Sequence, residues 1–390
     1  MPGIVAEAPV DRARRALTRV LAVLAAAASL TGCYVLQVAT GQADVLARSE
    51  PIAKLLEDPA TPDPLRARLE LVVEARGFAV RELGLPDGRS FRNYADLGRP
   101  YAVWNVVAAP EFSVTPRRWC YPVAGCVAYR GYFDEGRAEA TARRLAGRGD
   151  DVAVGGVATY STLGHLPDPV FNTMLGWRET RFVGTVFHEL AHERLYVPGD
   201  SEFNEAFASV VEQEGVRRWL GARGRDGEFE AYRAVLAREA EFAALLRTTR
   251  ERLRVLYASA RPSPELWADK QREFGQLKFE YALLRARWGG YAGYDAWFAR
   301  PLNNAHLAAV ATYHDCVPGL QRELEAAGSL VAFYARAEEL ASLPLADRRA
   351  AVCEPNLATL QGLRSAPVSS RSTLFAWSKP ARSSGLMCGA

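Results

Sequence analysis

The chain has 390 residues, 49% hydrophobic and 24% charged, with 31 glycines and 22 prolines, a make-up that excludes disorder throughout. Lys and Arg number 48 against 45 Asp and Glu, a net charge of +3 that is too balanced and too evenly spread for a nucleic-acid footprint. A chain this long buries a substantial core without staples, so its 6 cysteines are no disulfide scaffold.

Arg12, Arg14, Arg15 and Arg19 precede an apolar run over 20–30 that only Ser29 interrupts. This is the layout of a bacterial secretory signal, and the run is too short to span a bilayer. It ends in Leu30-Thr31-Gly32-Cys33, which resembles a lipobox. There a diacylglycerol joins the cysteine sulfur, and cleavage leaves Cys33 as the first residue of a membrane-tethered protein. The alternative is a plain secretory signal with an incidental cysteine. Tyr34, rather than Asp, at the next position resembles the sorting pattern of outer-membrane lipoproteins in Gram-negative bacteria. Everything after Cys33 is then expected to face the periplasm. That compartment permits disulfides, and Cys120 with Cys126 and Cys316 with Cys353 are possible pairs that leave Cys388 over.

Residues 34–355 are expected to form one α+β domain, followed by a disordered Ser/Pro/Arg-rich tail over 356–390. Within it, 34–100 reads as a helical lead-in, with apolar residues at helical spacing from Val35 to Leu83 and punctuation at Pro51, Pro59, Pro62 and Pro64. Over 101–165, short β-rich runs separated by Pro and Gly predict a small sheet, with a helix from Asp134 to Ala146 laid across it. Residues 166–355 read as helical, with breaks at Pro198-Gly199, Pro262, Gly289-Gly290 and Pro301.

The chemistry concentrates at His188-Glu189-Leu190-Ala191-His192, an H-E-x-x-H pattern. Residues four apart stack on one helix face, so His188 and His192 can offer two imidazoles to one cation, with Glu189 angled toward a water on it. Phe182, Val183, Val186, Phe187 and Leu190 make the same helix mostly apolar, as a buried helix requires. A catalytic zinc site takes a third protein ligand. Past the Pro198-Gly199 break, a second helix capped by Asp200 or Ser201 is expected to pack antiparallel on the first. It carries two candidates, Glu205 and Glu212, roughly 10 Å apart along its axis. Both cannot bind one ion.

His-Glu-Leu-Ala-His followed by Asn204-Glu205-Ala206-Phe207-Ala208 resembles the gluzincins, the metallopeptidase group that includes thermolysin and the zinc aminopeptidases. The resemblance implies a zincin-like fold, Zn²⁺ held by His188, His192 and Glu205, and a second-shell partner at Ser209. The spacing departs from the pattern: twelve residues, 193–204, separate His192 from Glu205, whereas Glu212 keeps the thermolysin spacing and stays open as the alternative ligand. A narrower resemblance spans most of the chain. The lipobox, Val103-Trp104-Asn105, Trp119, Pro122 to Val127, Gly156-Val157, Tyr160 to Gly164 and Arg300-Pro301-Leu302-Asn303-Asn304-Ala305 look like a bacterial family labelled predicted aminopeptidases.

These features predict a zinc-dependent peptidase, by resemblance an aminopeptidase, that cleaves peptides by a metal-activated water with Glu189 as general base. Tyr313 is the candidate donor to the oxyanion, sharing a helix face with His306. A sheet edge at Gly156 to Ser161 or Cys126 to Arg130 is a candidate seat for the substrate backbone, and Glu111 a candidate group for its ammonium. The alternatives are an endopeptidase with the same chemistry, or a non-catalytic envelope lipoprotein with a structural metal site. A peptide substrate and the membrane are the expected partners, and nucleic acid is not.

Overall fold

The computed structural model describes residues 34–121, 125–162, 165–259, 261–308 and 316–353. The expected signal and lipid-bearing Cys33, the tail, Cys388 and Tyr313 lie outside these. Backbone packing divides the chain between Ala47 and Arg48, so helix α1, over 34–47, stands by itself. No helix among the described residues is long and apolar enough to cross a membrane.

The unit from Arg48 onward is a mixed α+β structure. It begins with β1 (Ser49–Pro51), α2 (Ile52–Glu57), α3 (Asp63–Leu83) and β2 (Asn93–Ala95). The prolines act as expected: Pro51 and Pro62 stand at the helix N-caps and Pro64 in the first turn of α3, where the missing N–H is no loss. The lead-in is not all helical, however. β1 pairs antiparallel with β2, and β2 runs parallel to β8 (Val170–Phe171). Strands of two or three residues are too short to print an alternation on the sequence.

The second sheet is built on β3 (Val103–Pro110), flanked by β6 (Arg130–Tyr132) and β7 (Asp150–Val157), all antiparallel. The β3–β7 register runs from Val103 opposite Val157 to Pro110 opposite Asp150. Between β3 and β6 lies a separate hairpin, β4 (Trp119–Tyr121) with β5 (Gly125–Val127), closed by the expected Cys120–Cys126 disulfide. Helix α4 (Glu135–Ala146) is N-capped by Asp134, whose side chain accepts from the Arg137 N–H (2.8 Å). It covers the Trp104 face of β3, where the Tyr132 and Thr141 hydroxyls meet at 2.9 Å.

Among the described residues every element after β8 is a helix: α5 (Glu179–Arg194), α6 (Ser201–Gly221), α7 (Asp226–Tyr257), α8 (Ser263–Arg287), α9 (Asp295–Phe298), α10 (Asn304–Ala308), α11 (Val317–Ala327), α12 (Leu330–Ser342) and α13 (Leu345–Val352), after a 3-10 turn at Asn172–Met174. The four expected breaks all fall between helices, and further ones occur at 222–225, Gly328 and Leu343-Pro344. The second expected disulfide, Cys316–Cys353, ties the start of α11 to the end of α13.

Helix α10 packs Ala305 and Ala308 on Val107 and Ala153, the face of β3 opposite to α4. Strand β3 is thus covered on both sides, which explains why its residues from Val103 to Ala109 are buried and all but Asn105 apolar. A buried polar network fixes this junction. Lys270 Nζ pairs with Asp151 Oδ2 (2.7 Å) and donates to the Glu111 carbonyl (2.8 Å). The Asn304 N–H donates to Asp151 (2.8 Å), its amide to the Glu111 carbonyl (2.8 Å), and Tyr257 donates to its Oδ1 (2.9 Å). The Arg-Pro-Leu-Asn-Asn-Ala segment therefore joins α7 and α8 to the sheet, and Glu111 serves there through its backbone. Lys270→Met leaves Asp151 without its cation; urea unfolding is expected to show a loss of about 3 kcal/mol, and a loss below about 1 kcal/mol would contradict the assigned role.

Candidate metal centre

Helix α5 is drawn inward by Phe182, Val183, Val186, Phe187 and Leu190, all fully buried, each contributing about 2 kcal/mol by leaving water. Phe187 stacks on Phe78 of α3 (centroids 5.9 Å apart), and both rings meet Trp219 of α6. Helices α5 and α6 run antiparallel, since His192 reaches back to Glu205 while Gly184 lies against Glu212 and Val216. Gly184 is what allows this approach, because a Cβ there would stand 2.6 Å from Glu212 Oε1.

The connection between the helices is rigid. Asn204, buried, accepts from the Val197 N–H (2.7 Å) and donates to the Val197 carbonyl (2.8 Å). Asp200 caps α6 through the Phe203 N–H (3.3 Å), as the sequence predicts, and its other oxygen receives Arg348 Nε of α13 at 2.7 Å, with both side chains buried.

This brings His188, His192 and Glu205 together. His188 Nε2 lies 3.3 Å from Glu205 Oε2, and His192 Nε2 lies 3.7 Å from Glu205 Oε1. The two rings meet edge to face at 4.9 Å, and one ligand atom from each of the three residues lies within 4.8 Å of the other two. Ligand bonds of about 2.1 Å in a tetrahedral site place donor atoms about 3.4 Å apart, so the spacing and the donor types fit one zinc-sized ion.

Glu212, the alternative ligand, lies outside this group. Its Oε2 is 3.2 Å from His188 Nδ1, on the far side of the ring from Glu205, and its Oε1 accepts from the Tyr232 hydroxyl of α7 (3.0 Å). A carboxylate therefore backs His188. The His192 Nδ1 atom is buried with no hydrogen-bond partner among the described residues.

Residues 33–352 match the family described as putative aminopeptidase. The chain belongs to that family. No curated protein and no solved structure matches it. That membership suggests peptidase activity, and hence a hydrolase.

The Ser161 hydroxyl lies between Glu189 and Asp168 Oδ2 (3.1 Å) and has one proton to share between the two carboxyl groups. Asp168, buried, also receives the Thr162 N–H (2.7 Å) and hydroxyl (2.8 Å). The segment leaving β7 thus carries a hydroxyl to the general-base candidate. Strand β7 pairs only with β3 among the described residues and so forms an edge of its sheet, and the Tyr101 ring takes the place of a side chain at Gly156 on one face. His306 bonds Asn303 Oδ1 (2.8 Å) and packs on Trp297 in the α7–α8 core, away from the cluster. Among the residues sequence reasoning missed, Gly184 had a signal, an isolated glycine inside a helix pattern. Tyr232 and Asp168 had none.

Burial opposes charge on His188, but Glu205 and Glu212 outweigh it and raise the ring to about 10. Burial takes His192 down to about 4, with Glu205 opposing and His188 assisting. Burial works against the Glu205 carboxylate too, yet the two imidazoles hold it below its ordinary range. Burial lifts Glu189 to about 7, with Glu205 and Asp168 adding to it and His188 and Ser161 opposing. At neutral pH the metal-free cluster therefore holds one extra proton, on His188, which a divalent ion must displace. Zinc affinity is expected to rise about tenfold per pH unit between pH 6.5 and 8.5, read by competition with a chelating dye; an affinity flat across that range would refute the assignment.

Proposed function

We propose that the protein is a zinc-dependent peptidase of zincin-like architecture in which His188, His192 and Glu205 hold the ion and Glu189 is the general base. The observation that carries this reading is the convergence of two imidazole nitrogens and one carboxylate on a single point, from two helices, with a fourth ionisable group beside them. A structural site has no use for Glu189. Zinc is the default ion for these ligand types beside a general-base carboxylate. When bound it supplies a Lewis acid that activates water near neutral pH.

The chain's own residues supply the rest. A carboxyl lifted to about 7 is divided between its two protonation states at neutral pH, as a group that accepts and then returns a proton must be. Its Oε atoms take the proton of the attacking water and deliver it to the departing amine. Ser161, held by Asp168, limits the conformers open to that carboxyl. Glu212 receives His188 Nδ1 and so aims Nε2 at the ion.

Aminopeptidase specificity rests on the family description. Attachment to the outer membrane through Cys33, with the domain in the periplasm, is supported by the family match opening at residue 33 and by the two disulfides, which suit an oxidising compartment.

The decisive comparison uses purified mature protein on a peptide library. Glu189→Gln is expected to bind one zinc per chain as the wild type does and to lose at least about a thousandfold in kcat, while Glu205→Gln loses the metal itself. Undiminished turnover in Glu189→Gln overturns the catalytic assignment, and undiminished zinc in Glu205→Gln overturns the ligand set.

A further inference from the structure

Helix α7 gives no ligand to the cluster, yet one of its side chains ends within two hydrogen bonds of it. The Tyr232 hydroxyl donates to Glu212 Oε1 at 3.0 Å, and Glu212 Oε2 meets His188 Nδ1 at 3.2 Å. All three residues are buried, Tyr232 at 4% exposure, Glu212 at 1% and His188 at 5%. A carboxylate this deep is stable only when its oxygens are hydrogen-bonded.

The direction of each bond follows from the donors. A tyrosine hydroxyl facing a carboxylate donates, which occupies Oε1 and turns Oε2 to the ring. The ring then donates through Nδ1, and Nε2 points to Glu205. The space for Oε1 exists because residue 184 on α5 is a glycine. Oε1 therefore lies over Gly184 on the α5 side and meets the Tyr232 hydroxyl of α7, so a change at that hydroxyl is felt by the carboxylate.

We infer that Tyr232 is a positioning residue for the metal centre, acting through Glu212 to fix the His188 ring and thereby setting how tightly the ion is held. This rests on the metal-centre reading above. The consequence is that zinc affinity is governed by the docking of three helices, α5, α6 and α7, with the third reporting its position through one hydroxyl.

The test is a double-mutant cycle on the full mature chain, with zinc alone as probe against a chelating dye. Tyr232→Phe keeps the ring and its stacking on Phe229 and removes only the donor. It is expected to raise the zinc dissociation constant about tenfold, with Glu212→Gln raising it by about 10- to 100-fold. In the Glu212→Gln background, Tyr232→Phe is expected to add less than about twofold, the sign that the hydroxyl acts through that carboxylate. Wild-type affinity in Tyr232→Phe overturns the relay and leaves the ligand set standing. An undiminished tenfold effect in the Glu212→Gln background also overturns it, since the hydroxyl then acts by another route. Failure of the wild type to bind zinc removes the metal centre and the relay together, and Glu205→Gln, measured alongside, separates that failure from the others.

Discussion

Four ionisable side chains, His188, His192, Glu205 and Glu212, sit between two helices whose buried faces are mostly apolar. Each would be expensive to bury alone. Together they offset part of that cost, since the His188 ring faces both carboxylates and Glu205 faces His192 as well. The rest of the structure is arranged so that α5 and α6 approach closely enough for this pairing and cannot drift apart. Apolar packing brings the helices together, but it is non-directional and would tolerate a rotation or a slide. The hydrogen bonds do not.

The restraints are placed where a slide would begin. Asn204 holds the interhelical turn at Val197 by two bonds, one residue before Glu205. Asp200 receives Arg348, so the first turn of α6 is bolted to α13, which the Cys316–Cys353 disulfide joins to α11. On the opposite side, Lys270, Asp151 and Asn304 attach the α7–α8 pair to the sheet. Strand β7 in that sheet leads to Ser161 beside Glu189. Glu189 shares α5 with the two histidines, but its carboxyl is met from the sheet side by Ser161, whereas Glu205 and Glu212 reach the histidines from α6.

What the sequence disclosed follows the range of the interactions concerned. The His188–His192 pairing is set by helix periodicity and so is legible locally, as are the buried face of α5 and the capping Asp200. Strands β1, β2 and β8 were illegible because segments of two or three residues carry no period, and pair only with partners distant in sequence. Tyr232 lies beyond the reach of any local rule, since it meets Glu212 across 20 residues and a helix boundary.

The competition between Glu205 and Glu212 resolves once the imidazole is treated as having two ends. Seven residues on an α-helix amount to nearly two full turns, so both carboxylates project from the same face of α6 about 10 Å apart. A histidine ring inserted between them presents one nitrogen to each, and His188 does so at 3.3 and 3.2 Å. His192, one turn further along α5, is antiparallel to α6 and therefore level with Glu205, which it meets at 3.7 Å. Glu205 faces both imidazoles and is placed to share an ion with them, whereas Glu212 faces only the rear of one. The short connection between α5 and α6 makes this division possible, because it brings Glu205 level with the second histidine and leaves the later glutamate behind the first.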